Sequence, residues 1–136
     1  MKQKTITGFL VDTKNQQYRR TEVPDELDAY YALLHCETIE IHQVMIGTNG
    51  KIYDCICDEE GSFENDPRIS AIDSLGSALF VGSLLIVGMA DEEGDLTSLN
   101  DTDCDYIEGF VKNIATIMHP EGSVMLTEVR MYYGRF

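Results

Sequence analysis

The stretch Leu79-Phe80-Val81-Gly82-Ser83-Leu84-Leu85-Ile86-Val87-Gly88-Met89 decides how this chain folds. It is the longest apolar run, and acids flank it: Asp73 before it and Asp91 to Asp95 after it. A run with no polar side has nothing to offer water, so it reads as one strand, or as two strands bent at Gly82, covered on both faces. Val81, Ile86 and Val87 are β-branched and favour a strand over a buried helix. Gly82 and Gly88 would weaken a helix interior, yet they suit a bend or the close approach of another backbone. A membrane span needs roughly 20 apolar residues, and this run is too short for one.

On the N-terminal side of this run, Thr5 to Val11 alternates loosely and predicts a strand, and Tyr18 to Val23 predicts its return. Pro24 stops the second strand, and Asp25 is placed to cap a helix from about Glu26 to His35. Leu27, Tyr30, Tyr31 and Leu34 fall on one face of that helix. Thr38 to Ile46 predicts a strand with Ile39 and Ile41 on one face and Val44 and Ile46 on the other. Asn49-Gly50 then predicts a type I′ hairpin turn, since both central residues of such a turn need positive φ. The return strand, Ile52 to Cys57, runs into the acidic loop Asp58-Glu59-Glu60. A short strand over Ile69 to Ile72 follows.

On the C-terminal side, Asn100 or Asp101 is placed to cap a second helix running to about Met118, with Ile107, Phe110, Val111, Ile114 and Ile117 as its buried stripe. A last strand is expected over Val124 to Tyr133. There is no repeat, linker or low-complexity segment. The expectation is one α+β domain over residues 1–136, with a mainly antiparallel sheet of about six to seven strands and two helices in the order ββα-ββββ-αβ. At 136 residues the chain is long enough for a core without disulfides.

The formal net charge of −14 is unevenly placed. Residues 52–111 carry 15 acids against one base, Arg68, while the segments on either side are close to neutral. A surface of this sign repels nucleic-acid phosphates and anionic membranes, so neither is an expected partner. It attracts a basic protein surface, or it serves only to keep the protein in solution. The N-terminus shows no uninterrupted apolar segment of the signal-peptide kind, which points to the cytoplasm and to reduced cysteines.

Four cysteines, Cys36, Cys55, Cys57 and Cys104, suggest a thiolate zinc site only weakly, because two of them are isolated and no C-x₂-C knuckle is present. Buried thiols without metal are the expectation. His42 lies on the same hairpin as Cys55 and Cys57, which leaves a Cys–His nucleophile or a small-molecule pocket as the alternative function. Asp101, Asp103 and Asp105 imitate the opening of a calcium loop, but Tyr106 and Lys112 stand where that loop needs Gly and Glu. No phosphate-binding glycine loop, H-E-x-x-H or G-x-S-x-G motif occurs, so an enzyme is not expected and no cofactor is implied.

Four segments stand in a fixed order: Tyr53 to Gly61 (YDCICDEEG), Ile69 to Asp73 (ISAID), Val81 to Gly88 (VGSLLIVG) and Gly94 to Leu99 (GDLTSL). In that order the chain resembles a small domain-of-unknown-function family carried by phages, plasmids and conjugative elements of Firmicutes. The resemblance covers about residues 25–112 and brings no catalytic residues. It implies an accessory protein of a mobile element. The expected function is therefore non-enzymatic: an acidic face made by Asp58, Glu59, Glu60, Asp91, Glu92, Glu93 and Asp95 binds a basic protein, as a DNA mimic or an inhibitor of a nucleic-acid-binding host defence factor would. The two acidic loops are expected to leave the same edge of the sheet.

Overall fold

The computed structural model describes residues 4–61 and 65–133. Its elements are β1 (Thr5–Asp12), β2 (Gln17–Pro24), α1 (Leu27–Leu34), β3 (Ile39–Ile46), β4 (Tyr53–Asp58), β5 (Ile69–Ile72), β6 (Ala78–Val81), β7 (Leu84–Gly88), α2 (Asp101–Glu108), β8 (Val111–Ile114), β9 (Ser123–Leu126) and β10 (Val129–Met131). They form a six-stranded sheet in the order β10-β3-β4-β7-β1-β2 and a four-stranded sheet in the order β6-β5-β9-β8. Every pairing is antiparallel except β5 with β9. The class is α+β with sheet predominating, as expected.

The apolar run explains the layering. In β7, Leu84 and Ile86 join a core with Ala71, Phe80 and Leu126 of the smaller sheet and with Cys104 and Ile107 of α2. Leu85 and Val87 point the other way, into a second core with Tyr30 and Leu34 of α1. A strand between two cores has no polar face, which is why residues 84–87 are apolar without alternation.

The run is two strands, and they belong to different sheets. Gly82 takes φ +90° between β6 and β7, and its N–H bonds the Arg68 carbonyl at 2.8 Å. A Cβ on the facing Gly61 would collide with the Val81 carbonyl. Two glycines thus let two backbones meet where the chain passes from one sheet to the other. The tail divides likewise: the expected strand over Val124 to Tyr133 is β9 and β10, separated at Glu128, whose φ is +58°. These two divisions, with β8, raise the strand number from the expected six or seven to ten among the described residues.

Three local expectations are corrected. The second helix ends at Glu108, ten residues before Met118. Val111 to Ile114 pairs with β9 instead, and Ile117, assigned to the buried stripe, is 99% exposed. Gly109 and the β-branched Val111 and Ile114 favour that outcome once β9 offers a strand to pair with. The hairpin between β3 and β4 forms, but not as a two-residue turn: the last pair is Val44 with Tyr53, and only Gly50 of the Asn-Gly pair has positive φ, at +76°. Asp25 does not cap α1. The N-cap is Glu26, with no side-chain cap bond, and the Asp25 carboxylate accepts from the Tyr30 hydroxyl at 2.8 Å.

Candidate functional site

The seven acids singled out in the sequence fall at two places. β4 runs antiparallel to β7, with Tyr53 opposite Gly88 and Cys57 opposite Leu84. Asp58 at the end of β4, and Glu59 and Glu60 in the loop after it, therefore lie at the end where β7 begins. The loop after β7, with Asp91, Glu92, Glu93 and Asp95, leaves the opposite end, a strand length of roughly 15 Å away. The expectation of a shared edge is corrected by the antiparallel register itself.

The 91–95 loop is well defined by its own hydrogen bonds. Asp91 Oδ1 accepts the Glu93 and Asp95 amides at 2.9 and 3.0 Å, and the Asp91 amide donates to the Asp95 carbonyl at 2.9 Å. Asp91, Glu93 and Asp95 bring carboxylate oxygens within 4.8 Å of one another. All four acids of this loop are exposed, and none is in an ion pair among the described residues.

Behind the loop stands α2. Its N-cap, Asn100, accepts the Asp103 amide at 2.8 Å, and the early Asp101 and Asp103 suit the positive end of the helix dipole. Residues 91–108 contain eight acids and no base. Three of the four acids of α2 are compensated from elsewhere in the chain. Arg20 on β2 reaches Asp101 at 2.7 Å and Asp105 at 3.3 Å, while Lys51 reaches Asp103 at 2.9 Å. Tyr53 also donates to Asp103 at 3.0 Å, and burial is the main cause that pushes the Tyr53 hydroxyl up to about 12. The calcium-like triplet is thus engaged with the chain's own groups. Between the hairpin tip and the loop lies a cleft of about 440 Å³, lined by Lys51, Tyr53, Met89, Thr97 and Asp103 among others.

At the other end the strands bring together the residues of the alternative site. In the β3–β4 pair, Glu40 lies opposite Cys57 and His42 opposite Cys55. These four share the face that carries Val44 and Ile46 into the core between the sheets. His42 Nε2 lies 2.9 Å from Glu40 Oε1, the Cys57 thiol points at the Glu40 carbonyl at 3.7 Å, and the His42 ring is 5.6 Å from that of Phe80. Cys55 is fully buried, and its thiol is pushed well above the ordinary range, chiefly by its hydrogen bond to Cys57 and then by burial. Cys55, Cys57 and Cys104 are free, buried thiols. Glu40 was missed in the sequence; the signal was its place two residues before His42 on one strand face.

An α+β domain of two sheets, with an acidic loop at each end and a Glu-His-Cys group beside one of them, is the class these observations define. The chain belongs to the family described as Domain of unknown function (DUF3846), whose profile matches residues 6–112. That span takes in the β1–β2 hairpin and ends at β8. No curated protein and no solved structure matches the chain. Among the described residues, no helix is long and apolar enough to cross a membrane.

Proposed function

We propose that this protein is a non-enzymatic, cytoplasmic accessory protein of a mobile genetic element that binds a basic protein surface through its acidic end. The partner it fits is a nucleic-acid-binding host factor, for which the carboxylates stand in for backbone phosphates as a DNA mimic's do. The single observation that carries this reading is the 91–95 loop: four exposed carboxylates without ion pairs among the described residues, three of them held close together by a hydrogen-bonded turn. Gathering like charges costs self-repulsion, which a basic partner relieves. Asp101 and Asp105 beside it extend the negative surface even while shared with Arg20. Asp58, Glu59 and Glu60 lie at the far end and are a separate acidic patch in this reading. The mobile-element setting rests on the resemblance of the four sequence segments.

The test compares the chain with two neutralised variants, Asp91→Asn/Glu92→Gln/Glu93→Gln/Asp95→Asn and Asp58→Asn/Glu59→Gln/Glu60→Gln, in binding a partner captured from host lysate. The first variant associates more slowly at low salt and with a flatter salt dependence, and the second binds as the parent does. Duplex DNA added as a competitor displaces the protein from its partner. Equal association rates for all three proteins would show that the charge serves solubility alone.

A further inference from the structure

We propose that Glu40, His42 and Cys57 bind one divalent transition-metal ion of the zinc type, a site independent of the acidic end. One carboxylate, one imidazole and one thiol place their donor atoms within 4.8 Å of one another. In tetrahedral zinc coordination the bond lengths put neighbouring donors about 3.3–3.6 Å apart. The Glu40–His42 separation of 2.9 Å is slightly below that range, so small side-chain rotations bring the donors to a common centre. Glu40 and Cys57 are held side by side because they are direct cross-strand partners, and Cys57 also pairs with Leu84 of β7.

The arrangement is unusual for a structural core. The face that buries Val44 and Ile46 continues with two polar side chains above two thiols, where further apolar residues would be expected. Cys57 is 2% exposed, while the His42 and Glu40 side chains are 34% and 43% exposed. A cation seated there has its soft ligand below and solvent on its open side, the form of a three-ligand zinc site that keeps a fourth position for water. Cys55, two residues before Cys57 on the same strand face, is fully buried and keeps solvent from that side of the thiol.

Charge and donor type point the same way. An ionised Cys57 with Glu40 supplies two negative charges to a dication, and among the described residues no Lys or Arg pairs with Glu40. Asp58, Glu59 and Glu60 leave the same end of β4 and add to the local field. Sulfur and imidazole select zinc, cobalt and their neighbours over magnesium and calcium. Binding releases the thiol proton of Cys57 to solvent, while the neutral imidazole of His42 coordinates through one ring nitrogen and carries its proton on the other, leaving three ligand bonds to the ion.

The full chain, reduced and stripped with a chelator, is titrated with Co²⁺ and then with Zn²⁺. The expected result is one equivalent of cobalt, with a near-ultraviolet thiolate-to-cobalt charge-transfer band and intense tetrahedral visible bands, all bleached by one equivalent of zinc. His42→Gln and Glu40→Gln each weaken zinc binding by at least about tenfold, and Cys57→Ser removes the charge-transfer band. Asp91→Asn/Glu93→Gln/Asp95→Asn leaves the spectrum unchanged. Because Cys57 is buried, its variant can misfold; the parent spectrum and the exposed His42→Gln then decide the matter by themselves. Cobalt bound without the thiolate band, binding that survives His42→Gln, or no stoichiometric binding would each overturn the proposal.

Discussion

The Tyr106 hydroxyl on α2 donates to the Ile46 carbonyl at 2.8 Å while accepting the Thr48 and Asn49 amides at 2.9 and 3.1 Å. One side chain from a distant helix thereby satisfies three backbone groups at the end of β3. The β3–β4 connection needs that service because it opens after Val44–Tyr53, and Thr48 and Asn49 take no cross-strand partner. A tighter turn would leave Tyr106 nothing to hold. The tip is therefore a tertiary structure joined to α2, and the helix positions the cleft between the tip and the acidic loop.

Tyr106→Phe keeps the ring, which packs 5.0 Å from Phe110, and removes only the hydroxyl. The expected cost is about 1 kcal/mol in chemical denaturation, since the part-buried Ile46 carbonyl loses its partner while the exposed Thr48 and Asn49 amides can turn to water. Hydrogen exchange should accelerate at the Thr48 and Asn49 amides before it changes in β4 and β7. Unchanged exchange at those two amides would mean that solvent already serves them.

Gly50 is at φ +76°, and a Cβ there would meet nothing within 4 Å. Any cost of substitution is then conformational. Gly50→Val should destabilise the protein by about 1–2 kcal/mol, and Gly50→Asn by clearly less, because Asn tolerates the left-handed region. Thermal melts of the two variants side by side check the order. Equal melting temperatures would show that the tip relaxes out of this conformation.

At the corner between the sheets the cost is steric instead. Gly61→Ala drives a methyl group into the Val81 carbonyl, and the backbone at Gly82 lies just behind. Either Gly61 moves away or the β6–β7 corner opens. The expected loss exceeds about 2 kcal/mol, more than at Gly50, because no flexible side chain is available to yield. Loss of cooperativity in the melt would show that the two sheets have come apart.

Asp54 is 4% exposed, and its Oδ2 accepts the Ala90 amide at 2.8 Å. Burial raises its carboxyl above the ordinary 3.8, and the Ala90 bond opposes that only in part. A raised acid binds its proton more tightly in the folded state. Its contribution to stability is therefore fully present below pH 3.8 and is lost as pH rises through the folded value. Asp54→Asn keeps an acceptor for Ala90 and removes the charge, so it should melt higher than the parent at pH 7. The difference should shrink toward zero near pH 4. A constant difference across that range would assign the effect to packing.

Much of the fold follows from local patterns alone. Residues 84–87 are apolar on every side, so the sequence requires a strand covered on both faces, and β7 sits between two cores. The positions of β1, β2, β3 and β5 come from alternation and from Pro24. The charge contrast is equally local: residues 91–108 have eight acids and no base wherever they lie. What the sequence leaves open depends on partners far along the chain. The helical spacing of Ile107, Ile114 and Ile117 is real, but β9 captures Val111 to Ile114 because a strand with a neighbour gains cross-strand bonds that an exposed helix end lacks. Register decides the rest. Antiparallel pairing of β4 with β7 sends the two acidic loops to opposite ends, and antiparallel pairing of β3 with β4 sets Glu40 against Cys57. Neither result is written in spacing along one strand, because which residues face each other across a sheet depends on where the two strands align.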